Sequence, residues 1–243
     1  MDRTAVVTGA ASGIGAAVAV RLARDGMRVV AADIDLERAG RVADSVDVAL
    51  HPRQVDVTDS ESIAELRTDV HDTVGVPSVL VNCAGWDEFG MFAETDRAFW
   101  EKVVAINYLG VVGMCHAFLP DLSAAGSDAR VVNIASDAGR GGSMGETVYA
   151  GAKGGVIAFT KSLARETARD GVTANVVCPG PTDTPLFGGF PEKIRTALVK
   201  AIPMRRLADP SDVAHAVAYF ASPGAAYVTG QVLSVSGGLT MNG

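Results

Sequence analysis

A strand-like apolar run that passes through a glycine-rich turn into a helix opens the chain and constrains its fold more than any other feature. Thr4-Ala5-Val6-Val7 has the unbroken apolar character of a strand covered on both faces. It leads into Thr8-Gly9-Ala10-Ala11-Ser12-Gly13-Ile14-Gly15 and then the helical stretch Ala16 to Arg24. Glycines at a strand-to-helix turn let the backbone approach a pyrophosphate, and the helix start offers free N–H groups to it. The spacing is G-x-x-x-G-x-G rather than G-x-G-x-x-G, so the general dinucleotide pattern is met in kind only. Taken alone, the turn reads equally well as an ordinary tight turn.

The second strand strengthens the nucleotide reading. It runs from Met27 to Ala32 and ends in Asp33, eighteen residues beyond Gly15. An acidic side chain there accepts both adenosine ribose hydroxyls and repels a 2′-phosphate. No Arg occupies the variable positions of the turn, and Asp35 adds a second negative charge, which favours NAD over NADP. A helix N-cap is the competing role for Asp33. Strand and helix signals then alternate through the chain without a Pro/Ser-rich linker, repeat or low-complexity run. With 243 residues, 48% of them hydrophobic, the expected product is one α/β domain spanning 1–243, a doubly wound parallel sheet with helices on both faces.

The chemistry lies further on. Tyr149 and Lys153 are four residues apart and project from one face of any helix containing them. A phenol of ordinary pKa about 10 is a poor acid–base group at neutral pH, and a nearby ammonium brings it toward the working range. Ser136 follows the apolar run Val131-Val132-Asn133-Ile134-Ala135, where it can hydrogen-bond the same substrate oxygen that Tyr149 protonates or deprotonates. The implied chemistry is proton transfer to a carbonyl or from an alcohol, coupled to hydride transfer at the cofactor.

With these elements in place, the chain resembles the short-chain dehydrogenase/reductase family over essentially its whole length. Further matches carry the resemblance: Asn82-Cys83-Ala84-Gly85 after the strand Ser78 to Val81, Asn107 in the apolar helix beyond it, the thirteen-residue step from Ser136 to Tyr149, and Pro179-Gly180 after Val172 to Val177. The resemblance implies a Rossmann-like fold with Tyr149 as general acid/base. It makes Lys153 the group that lowers the Tyr149 pKa and holds the nicotinamide ribose, and Ser136 the group that orients the substrate oxygen. Asn107 would hold a relay water to Lys153. Cofactor contacts are implied for Gly9, Ser12, Gly13, Ile14, Gly15, Asp33, Asp56, Val57, Asn82, Ala84, Gly85, Tyr149, Lys153, Pro179 and Gly180. Asp56 would meet the adenine, and Thr182 or Thr184 the carboxamide. Cys83 replaces the family's usual second Asn, with little expected effect on catalysis.

Gly85-Trp86-Asp87, Ile134 to Ala138, Cys178 to Thr184 and the tail Gly230 to Gly243 are similar to family members that oxidise a ring β-hydroxyacyl-CoA to the β-keto thioester with NAD. Reduction of 3-oxoacyl thioesters on acyl carrier protein or CoA is the nearest alternative. It calls for NADPH, which Asp33 opposes. A non-catalytic NAD-sensing protein would not need the Ser136, Tyr149, Lys153 and Asn107 set. The resemblance also implies a homotetramer in which the helices carrying Asn107 and Tyr149 meet their copies.

Composition removes other classes. A net charge of −7 without a basic stripe argues against nucleic acid. Cys83, Cys115 and Cys178 have no C-x-x-C spacing, and the four His have no metal-ligand spacing, so buried thiols and no metal are expected. Val103 to Leu119 is uncharged but falls short of the roughly 20 apolar residues a membrane span prefers. The chain runs directly from its N-terminus into a strand, so a cytoplasmic protein is expected.

The stretch 185–206 interrupts the alternation with Gly188, Gly189, Pro191 and Pro203, and reads as a substrate lid. Its Lys193, Arg195, Lys200, Arg205 and Arg206 make it a place for CoA phosphates or, equally, a solvated helix face. Trp86, Asp87, Phe89 and Met144 are candidates for an acyl pocket, with packing equally open to Trp86 and Phe89. Asp137 and Asp183 have supporting roles at most.

Overall fold

The structure, a computed structural model, describes residues 3–241. Seven strands in this range form one sheet: β1 (Thr4–Thr8), β2 (Arg28–Asp33), β3 (Leu50–Gln54), β4 (Pro77–Asn82), β5 (Arg130–Ile134), β6 (Thr173–Pro179) and β7 (Val232–Val235). Every pairing is parallel, in the order β3-β2-β1-β4-β5-β6-β7. The helices are α1 (Gly13–Arg24), α2 (Leu36–Asp44), α3 (Ser60–Thr73), α4 (Arg97–Val104), α5 (Gly110–Ala125), α6 (Ala138–Gly141), α7 (Thr147–Thr167), α8 (Pro185–Gly188), α9 (Glu192–Ala201) and α10 (Pro210–Ala221).

Alternation along the strands divides the core into two layers. Ala5 and Val7 of β1, with Val29, Val79 and Val132, pack against Val18 and Leu22 of α1 and Val213 and Val217 of α10. Their sequence neighbours Val6, Val30, Leu80 and Val131 point the other way, onto Leu66 of α3, Met114 and Phe118 of α5 and Val156 of α7. A fully parallel sheet needs both faces covered, which is why its strands read as continuous apolar runs.

Two strands escape that reading. β3 carries Pro52, Arg53 and Gln54 and is tolerated because it lies at the sheet edge, where a missing N–H and polar side chains cost little. β7 is the opposite edge, short and partly exposed. The helical run Arg97–Asp128 is long and apolar enough by length and composition to cross a membrane, yet its Val111, Met114, Phe118 and Leu122 belong to the core. The segment 185–206, expected as a substrate lid, contains α8 and α9.

Because β1 lies between β2 and β4, successive crossovers leave it toward opposite edges. The carboxyl ends of β1 and β4 therefore part around a crevice, the place where an open parallel sheet binds ligands.

Candidate active site

The crevice deepens into a cavity of about 1000 Å³ that runs from the glycine turn to the lid. Each predicted cofactor contact except Asn82 is on its wall: Gly9, Ser12, Gly13, Ile14, Gly15, Asp33, Asp56, Val57, Ala84, Gly85, Tyr149, Lys153, Pro179, Gly180, Thr182 and Thr184. Gly9 must be glycine, since its φ is +69° and a Cβ would stand 2.9 Å from the Ala84 backbone. Ser12 precedes α1 without a side-chain cap, so the first-turn N–H groups have no capping oxygen of their own. An uncapped helix start, glycine backbone and an acidic strand end on one wall fit a dinucleotide.

Asp33 accepts the Ala11 N–H through Oδ2 at 2.9 Å and the Asp35 N–H through Oδ1 at 3.0 Å. It is not the cap of the next helix. That cap is Asp35, which accepts the Arg38 N–H at 2.9 Å. Asp56 Oδ1 is engaged by the N–H and hydroxyl of Thr58, at 2.8 and 2.7 Å.

Asn82 departs from expectation. Its amide points into the interior, donating to Asn133 Oδ1 at 2.8 Å and Cys115 Sγ at 3.4 Å, while Asn133 donates to Thr160 at 2.9 Å. This buried chain ties β4 to β5, α5 and α7, so Asn82 acts by holding strand ends together. At the neighbouring position the backbone N–H groups of Cys83 and Ala84 both reach Thr8 Oγ1, at 3.1 Å each, which needs no Asn side chain. Burial pushes the Cys83 thiol up to about 12.

Ser136, Tyr149 and Lys153 share one wall. The Ser136 hydroxyl accepts the Ala138 N–H at 3.1 Å and lies within hydrogen-bonding range of the Tyr149 phenol. Lys153 is 2% exposed and donates to the Ile134 carbonyl at 3.0 Å, with Nζ 5.6 Å from the Tyr149 ring centre. Burial lowers the Lys153 ammonium to about 8. The Tyr149 phenol is pushed above its ordinary value, by burial first and then by the carboxyls of Glu146 and Asp87. In the protein alone the carboxyls and burial thus prevail over the lowering expected from the Tyr/Lys spacing.

Asn107 is fully buried in a π-helical turn, Ala105–Leu109, between α4 and α5. Its amide donates to the carbonyls of Trp86 at 2.6 Å and Val103 at 2.9 Å, and its Oδ1 accepts the Trp86 N–H at 3.2 Å. The side chain therefore fixes the backbone after β4 as well as facing Lys153. A Cβ on Gly85 would stand 3.0 Å from Asn107 Oδ1 and 3.5 Å from Lys153 Nζ, so the glycine keeps the space between them open.

The basic residues of the lid do not line the cavity. Arg206 pairs with Asp212 at 2.6 Å, and Arg205 donates to the Lys200 carbonyl. The lid presents Leu186, Phe187, Phe190 and Leu198 instead. A cation that pattern reading missed, Lys102, lines the cavity with Nζ 3.7 Å over the Trp86 ring. Trp86 is on the wall, Phe89 packs on Phe190 and Met144 is exposed. Asp137 also reaches the wall, where it accepts the Ser234 hydroxyl. Glu146 was likewise missed, although it precedes Tyr149 by three residues and so lies near it on a helical path.

Residues 9–240 match the family model described as Enoyl-(Acyl carrier protein) reductase, a model of the short-chain dehydrogenase/reductase family. The (3R)-3-hydroxyacyl-CoA dehydrogenase of Canis lupus familiaris is 38% identical, over 98% of this chain and 96% of its own length. The cis-4-hydroxycyclohexanecarboxylate dehydrogenase of Sinomonas cyclohexanicum is 42% identical, over 98% of this chain and 97% of its own. A solved structure named as ribose-5-phosphate isomerase from Brucella melitensis 16M superposes with a TM-score of 0.91 at 36% identity, covering 100% of this chain and 94% of that one.

Proposed function

Since the chain belongs to the short-chain dehydrogenase/reductase family, we propose that it oxidises a secondary alcohol on a β-hydroxyacyl-CoA, such as 2-hydroxycyclohexanecarboxyl-CoA, to the ketone with NAD. The observation that carries this reading is the shared wall of Ser136, Tyr149 and Lys153, in a cavity that begins at the glycine turn and Asp33. The nicotinamide, when bound, supplies the hydride acceptor for oxidation or the donor for reduction. Tyr149 as phenolate takes the hydroxyl proton, and Ser136 hydrogen-bonds the developing carbonyl oxygen. The Lys153 ammonium stabilises the phenolate and would hold the nicotinamide ribose. Asn107, which faces Lys153 across Gly85, would hold the water that relays the proton from Lys153 to solvent. Thr182 and Thr184, both on the wall, are alternatives for the carboxamide contact.

The substrate reading draws on the apolar lid wall and on the two relatives, one named for a hydroxyacyl-CoA and the other for a hydroxylated cyclohexane acid. Lys102 takes over the anion-binding role that the sequence suggested for Arg205 and Arg206. The test is NADH formation with 2-hydroxycyclohexanecarboxyl-CoA, 3-hydroxybutyryl-CoA, free cis-4-hydroxycyclohexanecarboxylate and cyclohexanol, each repeated with NADP. The ring thioester with NAD is expected to give the highest kcat/KM. A winning linear thioester would make the enzyme a general 3-hydroxyacyl-CoA dehydrogenase, and no thioester activity would discard the substrate. A Lys102→Ala variant is expected to raise KM roughly 2–5-fold for the CoA thioesters and leave it unchanged for cyclohexanol, the scale of an exposed ion pair.

The exposed flanks of the α4–α5 run and of α7 support assembly as a homotetramer, and the three thiols suit a reducing cytoplasm. Light scattering is expected to give four times the chain mass of 25.0 kDa; a monomeric mass removes the assembly.

A further inference from the structure

The loop after β4 and the loop before α7 are clamped together beside Tyr149, and each contributes a carboxyl to the joint. The Gly90 N–H donates to the Gly145 carbonyl at 3.0 Å. Gly145 has φ +81°, and a Cβ on it would stand 2.3 Å from the Phe89 ring, which itself packs on Phe190 with centres 5.8 Å apart. Asn107 grips Trp86 from below. Asp87, the next residue, is 6% exposed, and the one backbone donor near its carboxyl among the described residues is the N–H of its neighbour Glu88. Its carboxyl lies within hydrogen-bonding range of Glu146. Glu146 lines the cavity and stands at the N-cap position of the 21-residue helix α7.

Two ionised carboxyls have nothing to share at that range and repel each other, so contact requires one proton between them. Two features locate the remaining charge. Glu146 accepts the Ser143 hydroxyl, and the start of a long helix favours an anion, whereas Asp87 is the more deeply buried partner with only the Glu88 N–H near it. The proton therefore belongs chiefly to Asp87 and the charge to Glu146.

We propose that Asp87 and Glu146 share a single proton and, as one negatively charged pair facing Tyr149, hold the phenol in its proton-donating form. The pair is a positioning device for the proton. It rests on the assignment of Tyr149 as acid/base. Tyr149 faces Glu146, Asp87, Cys178, the Ser136 hydroxyl and Lys153, whose ammonium stands 5.6 Å from the ring centre and opposes the pair. Asp87 also faces Glu88 and Lys153. The perturbations agree with the geometry. Burial, then Glu146, raises the Asp87 carboxyl to about 7, and burial raises Glu146. The overall equilibrium of the reaction is unaffected; what changes is the pH at which each direction runs.

Oxidation needs the phenolate, so its kcat/KM rises with pH through the Tyr149 ionisation. Removing a neighbouring negative charge makes that proton easier to lose. In Glu146→Gln, which removes the charge, the rising limb is expected about one pH unit lower than in wild type, a tenfold change in proton affinity. Asp87→Asn replaces a neutral acid by a neutral amide and leaves the limb near its wild-type place. Infrared difference spectra of the protein without substrate supply a readout independent of turnover. On the acid side of about 7, wild type should show the carbonyl stretch of a buried protonated carboxylic acid, lost as pH rises and absent from Asp87→Asn. A purely structural role makes Glu146→Gln lower turnover at every pH and leaves its limb in place, which overturns the proposal, as does a missing protonated-acid band. If no alcohol is oxidised, the functional reading fails, and the infrared band still decides whether the pair exists.

Discussion

Replacing Tyr149 with Phe is expected to lower kcat roughly 10²–10⁴-fold, the range spanned by loss of one positioned acid–base group. The substitution removes the hydroxyl and keeps the ring that stands 5.6 Å from Lys153 Nζ, so the wall retains its shape. Neither neighbour can take over. Ser136 is an alcohol of high proton affinity whose oxygen already accepts the Ala138 N–H, and Lys153 is tied to the Ile134 carbonyl. The loss should fall on kcat, because the phenol acts on a proton in flight rather than on bound substrate. Steady-state oxidation of the preferred alcohol, beside NADH binding followed by fluorescence, separates the two. Retained binding with lost turnover is the expected result. Full turnover in the Phe variant would remove Tyr149 from the chemistry and revive a cofactor-sensing role for the chain.

How much of this site could be read in advance depends on whether a residue acts through backbone or through distant partners. Gly9 and Gly15 were legible because a strand-to-helix turn that admits a phosphate has few chemical solutions, and Gly9 indeed has φ +69°. Tyr149 and Lys153 were legible because helical spacing alone places them on one face. The interior engagement of the Asn82 side chain left no signal because its partners, Asn133 and Cys115, lie 51 and 33 residues away. Arg205 and Arg206 looked free in sequence, yet an ion pair with Asp212 and a backbone carbonyl already use them. The Asp87–Glu146 pair left no signal, since two carboxyls that far apart in sequence meet only when the loops after β4 and before α7 pack on Phe89. Edge strands β3 and β7 lack the apolar continuity that revealed the buried ones, for the same physical reason that lets them sit at edges.

Cofactor choice gives the second large effect, and here the structure removes the main competing role. Asp33 does not cap α2, because Asp35 does; its carboxylate is instead held at the end of β2 by the N–H groups of Ala11 and Asp35. Fixed on the cavity wall, it can accept two ribose hydroxyls and would face a 2′-phosphate with a like charge. Asp33→Ser is therefore expected to shrink the preference for NAD over NADP roughly 10–100-fold, since a hydrogen bond to a charged group is worth about 1.5–3 kcal/mol and 1.4 kcal/mol is tenfold. Most of that change should come from weaker NAD binding, because no Arg among the described residues lines the cavity to receive a phosphate. Dissociation constants for NADH and NADPH, with the two kcat/KM values, measure it directly. Asp33→Asn, which keeps the size and one acceptor for the turn, distinguishes lost charge from a loosened loop: it should shift preference in the same direction while melting like wild type. If both variants leave the NAD/NADP ratio unchanged, the ribose is read by another group on the cavity wall.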